Sequence, residues 1–180
     1  MDGYTPDTAP HYGWPVEELA WVNPSPNIPN WFMTRVYPGT VLLEGTTLSE
    51  GRGTTRPLEV IGAPDLEVDA IFKLMRQTAP HWMEGAGIRK CTFEPTFYKY
   101  QGKPCYGVQI HADVPTYRPE IFRAFPLVAL FLRALRAWNP SYPLWRDFVY
   151  EYVDDRLAID VINGSPELRE WIDGQGSVKQ

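Results

Sequence analysis

The sequence predicts an α+β fold: a single compact domain with a mixed sheet of mostly short strands, packed by helices. Two patterns carry this prediction. An apolar stripe after Pro119 recurs at the three- and four-residue spacing of a helix, and two alternating segments flank a turn at residues 101–104, as in a β-hairpin. With 180 residues, 44% of them hydrophobic and 22% charged, the chain is large enough to bury the core of one domain.

Prolines dominate the beginning of the chain, where six of the 18 fall within the first 29 residues. This density predicts an irregular N-terminal segment with no helix longer than residues 16–20. The residues before each proline in the segment 23–29 favour extended backbone. Such a segment is either a rigid wall of a cleft or an ordinary surface connector.

The middle of the chain predicts short elements separated by turns. In order, they are a helical turn or short helix at residues 31–36, a buried strand at 41–43, a second strand at 58–61, and a helix from Asp65 or Asp69 to about Gln77.

The second half predicts the hairpin and the remaining helices. Its strands are residues 88–100, interrupted by Pro95, and residues 105–111. The strongest helix is expected to open at Pro119 and continue to Trp138, with Pro126 kinking or breaking it. Two short helices follow, one from Asp154 to about Ile162 that ends at Gly164, and one over residues 166–173.

The candidate site lies in residues 37–59, which begin with a predicted Pro-Gly turn and continue through the predicted buried strand into a polar loop. Loops at the ends of buried strands can hold polar groups over a cavity. Glu44 and Glu50 are candidate acid/base groups, and Arg52 and Arg56 offer planar forks for a carboxylate or phosphate. The alternative is an Arg–Glu network that braces an irregular loop, and both interpretations can hold together.

His111 ends the second hairpin strand, where the strand meets a polar loop. A lone histidine is more often a hydrogen-bonded structural group than a functional one. Its position at a strand end nevertheless makes it a candidate binding residue.

Charge and composition exclude several classes of function. The net charge of −5 and the absence of a Lys/Arg run argue against nucleic-acid binding, and no stretch approaches the ~20 apolar residues of a membrane span. Cys91 and Cys105 form no CxxC pair, so neither a metal site nor a cofactor is predicted; they form a disulfide between strands or remain free thiols. Met1 is not followed by a signal-peptide pattern, so the chain is cytoplasmic or its natural start lies elsewhere.

Aromatic residues make up 14% of the chain, including seven tryptophans. Most of them are expected in the core. Exposed aromatic rings beside polar loops are also what sugar-binding surfaces use, because a ring face packs on the apolar face of a pyranose.

Several ordered blocks of the sequence resemble the NamZ/YbbC family, long catalogued as a domain of unknown function. The blocks are residues 23–29, 37–40, 44–57, 93–97, 105–111, and Ser165-Pro166-Glu167-Leu168 with Trp171. Members of this family are exo-acting β-N-acetylmuramidases, which release N-acetylmuramic acid (MurNAc) from the non-reducing ends of peptidoglycan fragments. Thr47 and Tyr98 depart from the asparagine and serine usual there, so substrate preference is open to change.

The resemblance implies that residues 1–180 are the second domain of a protein about twice as long. Its missing N-terminal domain is expected to be Rossmann-like, to form the other wall of the cleft, and to carry the main catalytic glutamate. This chain would then be the substrate-binding half of a hydrolase that is periplasmic or secreted, with a cytoplasmic location as the alternative.

The chemistry of MurNAc agrees with the candidate residues. Arg52 and Arg56 could clamp its lactyl carboxylate, and Thr54 and Thr55 could bind its acetamido and hydroxyl groups. Glycoside hydrolysis usually needs two carboxyl groups about 5–10 Å apart, and either Glu44 or Glu50 could face the cleft. The alternative function is a non-catalytic module that binds carbohydrate or a protein partner.

Overall fold

The computed structural model describes residues 19–174. Its helices are α1 (Met33–Thr40), α2 (Val68–Thr78), α3 (Ala124–Trp138), α4 (Ala158–Asn163) and α5 (Glu167–Ile172), and its strands are β1 (Val60–Ala63), β2 (Gly87–Phe93) and β3 (Cys105–His111). Two 3-10 helices span Val41–Gly45 and Pro80–Met83. No helix in this part of the chain is long and apolar enough to cross a membrane.

The three strands form one sheet in the order β1-β3-β2. Both outer strands pair antiparallel with β3, so that Gly107 lies opposite Gly62 on one side and Cys91 on the other. The α+β class and the hairpin are therefore confirmed, although the first hairpin strand ends at Phe93 and does not continue to residue 100. Within the described residues the sheet is antiparallel rather than mixed. Strand β1 pairs with the free edge of β3, and this pairing is antiparallel, as is that of β2 with β3.

Helix α3 forms the centre of the core. It packs against α1 and α2, and it also contacts α5. Its side chains from Leu127 to Leu132 are all buried, so no solvated face exists along this part of the helix. The inner face of the sheet adds Val108 and Ile110 to the same core. Each such aliphatic side chain contributes about 1.5–3 kcal/mol when it is removed from water.

The predicted strand at residues 41–43 is wrong, since these residues begin a 3-10 helix that directly continues α1. A short apolar run fits a buried helical turn as well as a buried strand. The predicted Pro-Gly turn is also wrong, because α1 includes Pro38 and Gly39. A Cβ atom on Gly39 would lie 2.1 Å from the carbonyl oxygen of Ala124, so this glycine lets α1 and α3 approach closely.

Helix α3 begins at Ala124, not at Pro119. Pro126 consequently lies in the first turn, where the backbone N–H groups have no partner within the helix, so this proline removes no hydrogen bond from α3. Neither predicted aspartate caps α2: Asp65 accepts a hydrogen bond from the Tyr142 hydroxyl (3.0 Å), and Asp69 lies in the first turn.

At the C-terminal side, α4 begins later than predicted, at Ala158, but Gly164 ends it in the left-handed conformation expected of a C-cap. The last predicted helix is confirmed as α5. Residues 16–18 of the short N-terminal helix considered in the sequence lie outside the described residues, and Leu19 and Ala20 are not helical.

Cys91 and Cys105 are both free thiols. They are not direct cross-strand neighbours, since Cys91 lies opposite Gly107 and Cys105 lies opposite Phe93. Burial raises the pKa of both thiols, that of Cys105 to about 11. A raised pKa keeps the thiols protonated and unreactive at neutral pH.

Candidate functional site

The seven predicted site residues separate into three groups in the structure. Glu44, Glu50 and Arg52 join Lys99 in a cluster that we call the buried ion cluster. Arg56 and His111 meet through Asp113 at the end of β3, in what we call the strand-end network. Thr54 and Thr55 line a cleft.

In the buried ion cluster, Arg52 bridges two carboxylates. Its Nη2 donates to Glu44 Oε1 (2.6 Å), and its Nε donates to Glu50 Oε1 (3.0 Å). Lys99 Nζ donates to the other oxygen of Glu50, Oε2, at 2.9 Å. Two cations thus balance two carboxylates in a region where Glu50 is completely buried.

Lys99 also holds the backbone of the candidate stretch. Its ammonium group donates to the carbonyl oxygens of Leu43 (2.8 Å) and Leu48 (2.9 Å), so all three of its protons have acceptors. Burial lowers the pKa of Lys99, and attraction to Glu50 opposes that shift. The lysine therefore joins the end of the 3-10 helix to the loop that follows it.

The predicted catalytic carboxylates are both engaged. Glu50 is buried with both oxygens bound, and Glu44 accepts from Arg52 on Oε1 and from the Tyr150 hydroxyl on Oε2 (3.1 Å). Burial raises the pKa of that tyrosine, with the Glu44 charge adding to the effect. A catalytic role for Glu44 and Glu50 stays a prediction, but the contacts favour the bracing network that the sequence left open.

The strand-end network is centred on Asp113. Arg56 Nη1 donates to Asp113 Oδ2 (2.8 Å) and more weakly to Glu59 Oε1 (3.3 Å). His111 Nδ1 lies 3.3 Å from Asp113 Oδ1, and His111 Nε2 accepts from Arg89 Nε (2.9 Å). This arrangement fits a neutral imidazole with its proton on Nδ1.

The pKa values of the two carboxyl groups in this network are shifted in opposite directions. Burial raises the pKa of Asp113, but hydrogen bonds and attraction from Arg56 outweigh it, so that the net pKa is lowered. Burial dominates at Glu59 and raises its pKa, although Arg56 and Asn30 act against the shift. Because two carboxylates share Arg56, the guanidinium is not a free cation awaiting an anionic ligand.

The cleft has a volume of about 580 Å³. It is lined by Pro26, Asn27, Gly53, Thr54, Thr55, Phe93, Glu94, Thr96 and Phe97. The proline-rich segment 23–29 therefore supplies a wall of a cleft, one of the two roles that the sequence allowed.

Gly53 brings the two sides of the cleft together. Its φ of 84° favours glycine, and a Cβ atom there would lie 2.7 Å from the backbone nitrogen of Phe97. Thr96 donates to the Gly53 carbonyl from its backbone nitrogen (2.9 Å) and from its hydroxyl (2.8 Å). Thr54 is used within the turn, since its hydroxyl donates to Gly51 O and accepts from Arg56 N. Thr55 is exposed.

A larger cavity, about 800 Å³, lies between the N-terminal ends of α1 and α3. Several aromatic side chains line it, and the guanidinium of Arg35 lies 4.2 Å from the centre of the Trp31 ring and 4.3 Å from that of the Tyr117 ring. None of the seven predicted site residues lines it.

Sequence reasoning missed Lys99, Asp113, Tyr150 and Arg89. Asp113 had a local signal, because a carboxylate two residues after His111 in extended chain can point to the same side. Lys99 had none, since its partners are about 50 residues away. Among the residues that the structure describes, no group of three or more His, Cys, Asp or Glu side chains could hold a metal ion.

Comparison with known proteins identifies the family. The family model of the exo-beta-N-acetylmuramidase NamZ C-terminal domain matches residues 35–180. The chain is 38% identical over 161 residues to the peptidoglycan beta-N-acetylmuramidase NamZ of Bacillus subtilis (strain 168), covering 89% of this chain and 35% of that protein.

Two crystal structures of DUF1343 family proteins from Bacteroides fragilis NCTC 9343 have the same fold. One superposes with a TM-score of 0.66 at 22% identity, over 85% of this chain and 38% of its own. The other has a TM-score of 0.52 at 24% identity, over 86% of this chain and 36% of its own. The chain thus spans little more than a third of these relatives. It belongs to the family of the exo-beta-N-acetylmuramidase NamZ C-terminal domain.

Proposed function

We propose that the chain is the substrate-binding half of an exo-β-N-acetylmuramidase that releases MurNAc from the non-reducing ends of peptidoglycan fragments. The observation that carries this proposal is the 38% identity to the Bacillus subtilis enzyme across 89% of this chain. The relative is named for its action on peptidoglycan, and the proposal transfers that activity to the protein of which this chain is a part.

The site geometry supports a binding role for this domain rather than a complete catalytic one. Glu44 and Glu50 are held by Arg52, Lys99 and Tyr150, so neither is presented to a substrate as an unengaged acid or base. We propose that another domain of the parent protein supplies the main catalytic carboxylate and the other wall of the active-site cleft between the two domains. We also propose that the parent acts on the cell wall from the periplasm or as a secreted protein.

The predicted substrate-binding residues fit this proposal unequally. Arg52 and Arg56, the predicted clamp for the lactyl carboxylate, each bind two carboxylates already, and Arg56 keeps the larger exposed fraction of its side chain, 40% against 24%. Thr55 is exposed at the cleft, while the Thr54 hydroxyl already has two partners.

A chromogenic MurNAc glycoside tests whether catalysis requires the rest of the parent protein. The full-length parent is expected to release the chromophore, and the chain of residues 1–180 is expected to release none. A parent that is inactive on every MurNAc substrate offered would overturn the proposal, and turnover by the isolated chain would overturn the assignment of the catalytic carboxylate to another domain.

A non-catalytic module that binds cell-wall saccharides is the second candidate. The observation that favours it is the engagement of both predicted catalytic carboxylates in the buried ion cluster. If the parent binds peptidoglycan fragments but leaves every glycosidic bond intact, this second function replaces the first.

A further inference from the structure

Among the described residues that line the cleft between the proline-rich segment and the loop after β2, one has an ionisable side chain, Glu94. Glu94 is exposed, and none of the ion pairs formed among the described residues includes it. The other polar groups of the lining are the carboxamide of Asn27 and threonine hydroxyls. A ligand that fits this cleft would therefore be neutral and rich in hydrogen-bonding groups.

Phe97 gives the cleft an aromatic wall. This residue is 49% exposed, although phenylalanine is one of the residue types most often buried in folded proteins. Its backbone is fixed by the close approach to Gly53, and the next residue, Tyr98, has a φ of 70°. A non-glycine residue with this backbone costs roughly 1 kcal/mol or more, and such strain clusters at functional sites. The Phe97 ring lines the cleft and is half exposed, so the apolar face of a pyranose could pack on it.

The charges argue against the acidic sugar as the occupant. A lactyl carboxylate inside the cleft would face Glu94, and among residues 19–174 no lysine or arginine lines the cleft to compensate. The two nearby arginines of the candidate stretch are committed elsewhere, Arg52 to Glu44 and Glu50, and Arg56 to Asp113 and Glu59. An acetamido group suits the cleft better, because Asn27 can pair with an amide and Glu94 can accept from its N–H.

We propose that this cleft binds a neutral N-acetylhexosamine, with its ring on Phe97 and its polar groups on Asn27, Thr55 and Glu94. This inference rests on the proposed function, under which the occupant is the N-acetylglucosamine unit next to the terminal MurNAc of a peptidoglycan fragment. The cleft thus selects the sugar on the far side of the scissile bond, and the acidic sugar lies outside it.

Titration of the chain with the methyl β-glycosides of N-acetylglucosamine and MurNAc, followed by amide NMR, tests this. We expect shifts at Asn27, Thr55 and Phe97, and an affinity for the neutral glycoside about fivefold higher than for the acidic one. Glu94→Gln should reduce that preference to less than twofold. Undetectable binding of the neutral glycoside at millimolar concentrations, or equal or stronger binding of the acidic one, would overturn the proposal.

Two matched aromatic variants locate the binding surface. Phe97→Ala should weaken binding of the neutral glycoside about tenfold, and Phe97→Trp should retain it. Tyr106→Ala removes a ring that is 45% exposed on β3 but does not line this cleft, so it should leave the affinity unchanged. Equal affinity of Phe97→Ala and wild type would contradict the proposal, provided that the amide spectrum shows an intact fold.

The two proposals fail separately. An inactive parent with a cleft that still prefers the neutral glycoside removes the muramidase assignment and leaves the neutral-sugar cleft in place. An active parent whose cleft prefers MurNAc removes the inference and leaves the proposed function in place.

Discussion

Lys99 is the residue on which the polar interior of this domain depends most. Its side chain is 8% exposed, and its three protons are bound by Glu50 and by two backbone carbonyls. Lys99→Met would leave a buried carboxylate with one partner fewer and two carbonyls without a donor. We expect the free energy of unfolding to fall by about 3–5 kcal/mol, measured by denaturant titration.

Lys90→Met is the control for this variant. Lys90 pairs with Asp69 at 2.8 Å, but the two side chains are 58% and 83% exposed. Removing such a surface pair should cost about 0–1 kcal/mol. If both variants lose equally little stability, Lys99 does not brace the candidate stretch as described.

Arg56 sets the titration of the strand-end network. The pKa of Asp113 lies below its ordinary 3.8, so the stability it contributes is present above pH 3.8 and is lost as the pH falls through the folded-state pKa. In Arg56→Gln, burial still raises the pKa of Asp113 but the opposing guanidinium is gone. We expect the carboxyl resonance of Asp113 to titrate at higher pH in NMR, and acid unfolding to begin at higher pH.

Arg156→Gln provides the comparison, because Arg156 pairs only with the exposed Asp155 at 3.6 Å among the described residues. It should leave the titration of Asp113 as it is in the wild type. An Asp113 pKa that is unaffected by Arg56→Gln would mean that the observed contact does not govern its ionisation.

At the scale of elements, the crossing of α1 and α3 depends on Gly39. Alanine is favoured over glycine within a helix by about 1 kcal/mol, but its Cβ would lie 2.1 Å from the Ala124 carbonyl oxygen. Overpacking of this kind typically costs about 1–3 kcal/mol, and the neighbouring carbonyl is backbone that cannot move aside cheaply. We therefore expect Gly39→Ala to lower the melting temperature despite its better helix propensity.

Thr34→Ala tests the same helix on its exposed side, where the change should stay within about 0.5 kcal/mol. A Gly39→Ala variant at least as stable as Thr34→Ala would show that the two helices can separate without cost.

The elements that the sequence predicted well are those with a complete local signal. Strand β3 has clear boundaries in the alternation and turn residues around it, and Gly164 is the left-handed residue that ends α4. The errors come from tertiary contacts. Pro38 and Gly39 indicate a turn locally, but the packing of Gly39 on Ala124 favours a helix there.

The candidate site shows the same limit. The sequence identified the polar stretch, and Thr54 and Thr55 do line a cleft. It could not show every pairing of these charges, because Glu50 also pairs with Lys99 and Arg56 also pairs with Asp113, both distant in the chain. These distant contacts, which only the fold reveals, favour the bracing network for the predicted carboxylates.

For the whole molecule, residues from the proline-rich segment, from the loop before β1 and from the end of β2 with the loop after it line the cleft, while α3 and the inner face of the sheet contribute to the core. The domain therefore presents a cleft at its surface and pairs the charges of the buried ion cluster internally. The chain spans 35% of its Bacillus subtilis relative, which leaves ample additional chain in such a protein to supply catalytic groups.

Product analysis on a natural substrate tests the central claim most directly. The full-length parent would be incubated with peptidoglycan fragments that carry MurNAc at the non-reducing end, and the released sugars separated and identified by mass. The account predicts that free MurNAc appears as the first product and that each fragment shortens from that end. Release of larger internal fragments, or no release of MurNAc at all, would contradict it.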